Sequence, residues 1–539
     1  MFRQLSDKVK KNKKIIFLFT IILLTGIFLR TYKFHDWLKF THDQARDSRI
    51  VTDILDHKTP LPLLGPDAGG TKFLLGPIHY YFSYAAALIF GNYPTKLAYP
   101  SLFAGILAIP LLFIFMRQYF DRRISLAASA ILSVSYFFVL NSRFSWNPNL
   151  IPFFILLCLY SLLKLLNDKD RPGIIWSILA GVSLGVGIQL HAFFLVVMSA
   201  LTFLAFAYLV FRKNKGIWKK IALVIALVLI TNVPQIISEF QTNFQNSRNF
   251  FSGASKKSSS RLGDSLLWTS ACQIQANTYF ISSIQNVSSL PDKYACKSIL
   301  KAPDKKLAKN LPYYFGLAIS TIFSLLGYFL LGYFFKKEKD EKNKNFLGLI
   351  ITFNALSFLA FFNVAQVMYL SYFILILPVP FVLLGLYLKI TLENIKYWGK
   401  TITLAAVIFL IATSLARDRL AFQDYEKGIG NSSRETTLQD IELISQYILK
   451  NSKNFNEPYF CGKGTMGGRF STPLKYFIQE SGKDIKLVWN LNDKEIKPGI
   501  PIFYIKNSTK KIIPGEKIDG REVITGQRFW RQVVLILKN

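Results

Sequence analysis

Between Phe40 and Leu55 the chain reads FTHDQARDSRIVTDIL, with Asp43, Arg46, Asp47, Arg49 and Asp53 crowded into one amphipathic stretch. On a helix over 42–56, Asp43 and Asp47 fall one turn apart on one face, with Arg46 beside them. A carboxylate in that position can take the proton of an attacking hydroxyl. A guanidinium next to it can stabilise a developing anion. The same residues also serve plain helix architecture: Thr41 with Gln44 fits a capping box, and acids in a first helical turn complement the dipole. What surrounds the stretch has to separate the two.

The surroundings are apolar. The 539 residues are 51% hydrophobic and 15% aromatic, with a mean hydropathy of +0.30 and a net charge of +33. Runs of about twenty apolar residues, the length that crosses ~30 Å of hydrocarbon, recur at 15–31, 96–116, 123–140, 148–166, 173–190, 192–211, 217–237, 312–335, 345–364, 367–388 and 400–416. This pattern predicts a polytopic α-helical membrane protein of about 11 spans. The positive charges fall in alternate gaps: KVKKNKK (8–14), RQYFDRR (117–123), KLLNDKDR (164–171), RKNKGIWKK (212–220), KKEKDEKNK (336–344) and KITLENIKYWGK (389–400). By the positive-inside rule these gaps are cytoplasmic, which places the N-terminus inside and the C-terminal tail outside. The charge therefore reports topology and anionic-lipid contact, and nucleic acid is not an expected partner. The segment 77–90, PIHYYFSYAAALIF, is too short for a span and carries interfacial tyrosines, so it reads as a helix lying in the outer interface. No cleavable signal peptide is expected, because GIFLRTYKF follows the first run without a small-residue cleavage site.

Residues 1–416 accordingly form a membrane domain with outer loops at 32–95 and 238–311, and 417–539 form a small soluble α/β domain. In the tail, Leu438, Ile441, Ile444 and Ile448 have helical spacing. PYFCG, IKLVWNL, PIFYIKN and QVVLILK read as short strands. Cys272 and Cys296, both in the second outer region, form the disulfide candidate, with closure contributing roughly 3 kcal/mol. CGKGTMGGR (461–469) is not a phosphate loop: Glu457 stands where the first Gly belongs, and Gly464 follows Lys463 where Ser or Thr is required.

Charges inside a membrane usually mark a transport path. Here the span interiors lack Asp, Glu, Lys and Arg, and the charged groups gather at the outer mouth: Asp36, Asp43, Arg46, Asp47, Lys72, Arg143, Glu239 and Arg248, with His191. Some have simpler roles available. Arg143 borders a span and can snorkel to headgroups, His191 can satisfy a backbone carbonyl, and Trp146 with Asn147 can end a helix before Pro148.

The order of motifs carries a resemblance. A first span, then DQARD, then GPIHYY ending at FGNYP, then SRFSWNPN and the His-tipped GIQLH, is similar to the GT-C superfamily of membrane glycosyltransferases. That superfamily includes protein O-mannosyltransferases and the aminoarabinose transferase that modifies lipid A, and the likeness covers roughly residues 15–400. It implies an inverting transfer of a monosaccharide from a polyprenyl-phosphate carrier to an acceptor hydroxyl at the outer face of the cell membrane. The acceptor class, whether protein, lipid or glycan, stays open. The family's first-loop Asp, the catalytic base, corresponds to Asp43, with Asp47 as its partner and Arg46 at the family's Arg position. Gln44 stands where relatives carry a second acid, so no divalent metal is expected. Lys72 lies several residues from the family's Lys-Pro-Pro position. Together with Arg46, Arg143 and Arg248 it is a candidate for the donor phosphate; His191, Glu239, Asn147 and Tyr372 (in SYFILILPVP, 371–380) are candidates to line the site. The alternative is a lipid-linked saccharide polymerase or a flippase of the cell envelope. A flippase needs a polar path through the bilayer, which these spans lack, whereas a polymerase would also work at the outer mouth.

Overall fold

The computed structural model describes residues 2–538 apart from 70, 168–172, 257–260, 284–306, 363, 365–367, 428–435, 456, 463–464, 494–495, 509 and 531. The membrane half is helical: α1 (Phe2–Thr31), α2 (His42–Leu55), α3 (Ile78–Phe90), α4 (Pro94–Leu97), α5 (Tyr99–Met116), α6 (Arg122–Val134), α7 (Tyr136–Asn141), α8 (Ile151–Asn167), α9 (Ile174–Leu190), α10 (Ala192–Phe211), α11 (Ile217–Thr231), α12 (Val233–Gln241), α13 (Gln245–Lys256), α14 (Leu262–Tyr279), α15 (Leu307–Lys337), α16 (Glu341–Phe362), α17 (Pro378–Asn394) and α18 (Gly399–Glu426).

Among the described residues seven helices are long and apolar enough to cross a membrane, or nine if two bent pairs count as one span each. The expected eleven spans do not all appear as single rods, and the reasons are local. Asn232 and Pro234 interrupt 217–237, where α11 and α12 meet at 64°. A 3-10 turn over Leu370–Ile376 meets α17 at 65°, at Pro378. Residues 123–140 break at Ser135, whose backbone is extended. The segment 77–90 forms α3, a 13-residue helix whose Leu88, Ile89 and Phe90 are exposed while His79, Tyr80 and Ser83 are buried.

A further difference lies in the second outer region. Helix α14 does not stay on a polar surface but enters the apolar core formed by the long helices, with Cys272, Ala276 and Tyr279 buried there. The amide N–H groups of Gln273 and Asn277 find partners on neighbouring helices, while Gln273 Oε1 and Asn277 Oδ1 are buried without one among the described residues. Gln273 donates to Asn354 Oδ1 (2.6 Å) and Tyr328 Oη (3.1 Å), and Asn277 donates to Tyr328 Oη (2.8 Å) and Ser324 Oγ (3.1 Å). A polar-looking helix can be buried when its amides have partners, and composition alone hides that. Cys272 is disulfide-bonded; its expected partner Cys296 lies outside the described residues.

The tail contains α19 (Leu438–Asn451), α20 (Thr465–Glu480) and a six-stranded sheet in the order β2-β1-β3-β6-β5-β4. Strands β1 (Tyr459–Gly462), β2 (Lys486–Val488) and β3 (Ile502–Asn507) are parallel, β6 (Gln532–Leu537) runs antiparallel to β3 and β5 (Arg521–Phe529), and the short β4 (Lys517–Ile518) runs antiparallel to β5. Alternation along the strands gives two apolar faces. Tyr459, Cys461, Ile502 and Tyr504 pack on one, and Phe460, Phe503, Ile505 and Val534 on the other.

That second face is not closed by the tail alone. Its core takes in Phe34, Leu38, Phe40, Ala45, Ala98 and Leu102 from the membrane half, together with Ile441, Ile444, Phe470 and Leu474. The chains are also stitched at the backbone: Phe40 N–H donates to Thr436 O (3.0 Å), and Leu438 N–H donates to Leu38 O (2.8 Å). Helix α18 runs unbroken to Glu426, ten residues past the expected span end at 416.

Candidate functional site

Helix α2 starts where Gln44 reaches back, its Oε1 accepting from Thr41 N–H (3.1 Å) and Thr41 Oγ (2.6 Å). The other end of the Gln44 amide donates to Ser145 O (2.9 Å). One side chain thus both starts the helix and fixes it against the 143–147 loop, so Gln44 has an architectural task.

On the next turn Arg46 forks between the two acids. Nε and Nη2 donate to Asp47 Oδ1 at 2.9 and 2.8 Å, and Nη1 reaches Asp43 Oδ1 at 3.3 Å. The two carboxylates sit in different surroundings. Asp47 is 4% exposed, and its other oxygen lies 3.5 Å from His79 Nε2 on α3. Asp43 has half of its side chain open to solvent. Burial works against the Arg46 charge, but Asp47, Tyr80 and Asp43 together outweigh it, and the guanidinium is held above its ordinary pKa. Tyr80, also on α3, is raised by burial and by the same Asp47 charge. Asp47 therefore orients Arg46 and ties α2 to α3, while Asp43 is the carboxylate that an incoming molecule can reach.

His79 is the residue that sequence reasoning missed. It is buried, its Nε2 faces Asp47 Oδ2 and Ser145 Oγ (3.5 Å each), and its Nδ1 has no hydrogen-bond partner in the structure. The available signal was one imidazole at the second position of an otherwise apolar interfacial helix.

Across from α2, Tyr372 lies within electrostatic reach of Asp43 and Asp67. Its ring meets Trp146 (6.0 Å between centroids) and His191 (5.8 Å). His191 caps α10 with Nδ1 accepting from Phe193 N–H (3.2 Å), so that nitrogen carries no proton. Asn147 is buried and donates to Leu190 O (2.7 Å), pinning the start of α8 to the end of α9. Tyr372, Trp146 and His191 thus form one aromatic cluster within electrostatic reach of Asp43, drawn with it from four separate stretches of sequence.

The other expected residues lie differently. The expectation that Arg143 meets a donor phosphate is corrected: its guanidinium is buried and donates to Leu29 O (2.9 Å), Tyr32 O (2.7 Å) and Lys33 O (3.2 Å). Those carbonyls lie in the last turn of α1 and just beyond it, so Arg143 fixes the exit of the first span. Lys72 and Arg248 are exposed on two segments that bind each other. Asn246 on α13 accepts from Leu74 N–H (2.8 Å) and donates to Leu74 O (2.9 Å), and Asn249 donates to Lys72 O (3.0 Å). Glu239 accepts from Ser247 Oγ (3.0 Å) through one oxygen, while its other oxygen is buried with no hydrogen-bond partner. Among the described residues no group of three or more His, Cys, Asp and Glu side chains is placed to hold a metal.

Residues 75–236 match the family described as dolichyl-phosphate-mannose-protein mannosyltransferase. No curated protein sequence matches the chain. In structure the chain is similar to ArnT from Cupriavidus metallidurans. In the form bound to undecaprenyl phosphate the TM-score is 0.54 and the identity 11%, covering 97% of this chain and 98% of that one. The apo form gives 0.54 and 10%, with 98% of each chain covered. An oligosaccharyltransferase from Archaeoglobus fulgidus follows at a TM-score of 0.48 and 13% identity, over 88% of this chain and 62% of that one. The likeness to ArnT is one of fold, and it spans the membrane half and the tail.

Proposed function

We propose that this chain, which carries the GT-C fold, is an inverting glycosyltransferase that moves a monosaccharide from a polyprenyl-phosphate carrier to an acceptor hydroxyl. The observation that carries the reading is the pair of unlike carboxylates on α2. Asp47 is buried and committed to Arg46 and α3, and Asp43 is open at a mouth walled by Tyr372, Trp146 and His191.

The chemistry follows from those positions. The acceptor oxygen attacks the anomeric carbon from the face opposite the phosphate, and the bond from that carbon to the phosphate oxygen breaks. The acceptor proton passes to Asp43. The departing polyprenyl phosphate needs no proton, so one base suffices, unlike the paired acids of glycoside hydrolysis. Negative charge grows on the phosphate as it leaves, and Arg46, oriented by Asp47, is the cation beside the base. Lys72 and Arg248 stand on adjoining exposed segments as further phosphate contacts. ArnT from Cupriavidus metallidurans binding undecaprenyl phosphate in the same fold supports the choice of carrier.

The basic gaps meet at the end of the bundle away from this mouth: Lys164 donates to Gln118 Oε1 (2.8 Å) and Lys389 to Tyr119 Oη (3.2 Å). With positive charge inside, the mouth and the tail face away from the cytosol in a multi-pass cell-membrane protein. The test is Asp43→Asn in membranes supplied with a radiolabelled polyprenyl-phosphosugar and an acceptor extract. Transfer is expected to fall by at least about 100-fold. Near-normal turnover with the variant would remove Asp43 from the role.

A further inference from the structure

At the opposite end of the bundle the helices part around a cavity of about 600 Å³. Helix α10 runs 20 residues from His191 at the candidate mouth to Arg212 at this cavity, about 30 Å away at 1.5 Å per residue. Helix α8 likewise begins at the mouth and ends here, and α16 starts here. The inner wall is apolar, from Leu201, Leu204, Ala205, Phe335 and Leu349. Gly348 keeps it open: a Cβ there would sit 3.2 Å from Phe335 Cε2.

The rim is charged and unbalanced. Arg212, Lys339 and Lys344 line it against the single carboxylate of Glu341. Glu341 is taken up by Arg212, and Lys344 sits 5.5 Å over the Phe335 ring. Among the described residues neither lysine has an ion-pair partner, so the described rim has positive charge left for an anion. Leu204 and Tyr208 on the same rim are exposed on the membrane side. A volume of this size, apolar within and cationic at its mouth, suits one amphiphile with an anionic head.

We infer that this cavity binds an anionic diacyl phospholipid from the leaflet opposite the candidate site, with its phosphate on Lys339 and Lys344 and an acyl chain along Leu201, Leu204 and Leu349. The inference requires the membrane setting but not sugar transfer, and its test reads lipid rather than turnover. The full-length chain in detergent is mixed with phosphatidylglycerol or phosphatidylcholine of matched acyl chains, and bound lipid is measured by native mass spectrometry. Phosphatidylglycerol is expected to be retained on the order of tenfold or more over phosphatidylcholine. The double variant K339Q/K344Q is expected to lose that preference. K213Q/K215Q, which removes two exposed lysines from the α10–α11 turn, is expected to keep it. Gly348→Leu, which fills the wall, is expected to lower retention of both lipids while the melting temperature stays within a few degrees. Soluble glycerol phosphate is expected not to compete. Equal retention of the two lipids by the unaltered chain overturns the proposal. So does an equal loss in K213Q/K215Q, or full displacement by glycerol phosphate, which would reduce the rim to a plain anion site.

Discussion

At the scale of residues, the i, i+3, i+4 spacing of Asp43, Arg46 and Asp47 made the grouping of the two acids around the guanidinium legible, because a helix fixes which neighbours share a face. The division of labour between the acids was not legible, since it depends on α3 burying one and leaving the other open. His79 escaped for the same reason: its partner Asp47 lies on another helix 32 positions earlier. As a positioning residue, His79→Gln is expected to lower turnover about tenfold and to shift the pH profile of transfer, while Asp43→Asn abolishes transfer at every pH. A changed melting temperature with an unmoved profile would make His79 merely structural. Arg46→Lys keeps the charge but loses the fork that spans both carboxylates; kcat is expected to fall more than KM rises. Cys461 gives an independent check on the tail. Burial, with a smaller push from Asp519, raises its thiol to about 11. At pH 8 the folded protein is therefore expected to react with iodoacetamide far more slowly than the unfolded chain, as mass spectrometry of the alkylated peptide would read.

At the scale of elements, the surprise is how little of the site's support comes from the helices that carry it. Gln189 on α9 accepts from Ile78 N–H (3.2 Å) and donates to Thr231 O (2.7 Å), tying α3, α9 and α11 together. It lies so close to Gly76 that an added Cβ would meet its Cγ at 2.3 Å. Gly76→Ala is therefore expected to push Gln189 off its partners and lower the melting temperature of the purified protein, whereas Gly332→Ala, where an added Cβ meets nothing within 4 Å, is expected to leave it unchanged. The link between α2 and α20 is more exposed. His42 meets Thr472 (2.7 Å between Nδ1 and Oγ1), and Arg49 lies 3.9 Å from Glu480. Burial raises the Glu480 carboxyl above its ordinary 4.5, with Arg49 pulling the other way. A group raised in the folded state favours the fold while protonated; that contribution is complete below about pH 4.5 and is lost as pH rises through the folded value. Glu480→Gln stays neutral, so its melting temperature is expected to fall less with rising pH above 4.5 than that of the parent chain.

At the scale of the molecule, hydropathy and charge foretold a helical membrane half and an α/β tail, and strands β1, β2, β3 and β6 fall where their apolar runs stood. The bends at Asn232 and Pro378 and the burial of α14 were not foretold, because each depends on partners distant in sequence. Least visible was the join between the halves. Phe40, fully buried, packs against Tyr476 and Phe477 of α20 at ring distances of 5.9 and 5.7 Å. His35 lies 3.3 Å from Glu442, which also accepts from Tyr93. Phe40→Ala is expected to cost about 3–5 kcal/mol, read as a lower melting temperature in detergent. Residues 436–539 expressed alone are expected to aggregate, because one sheet face loses the side chains that cover it. The tail is therefore no detachable accessory. Any transplant of it onto another membrane half would have to bring residues 34–45 along, and those residues run directly into Arg46 and Asp47. A lineage that exchanged one part without the other would lose both its covering and its reactive helix, which binds the two stretches into a single unit of inheritance.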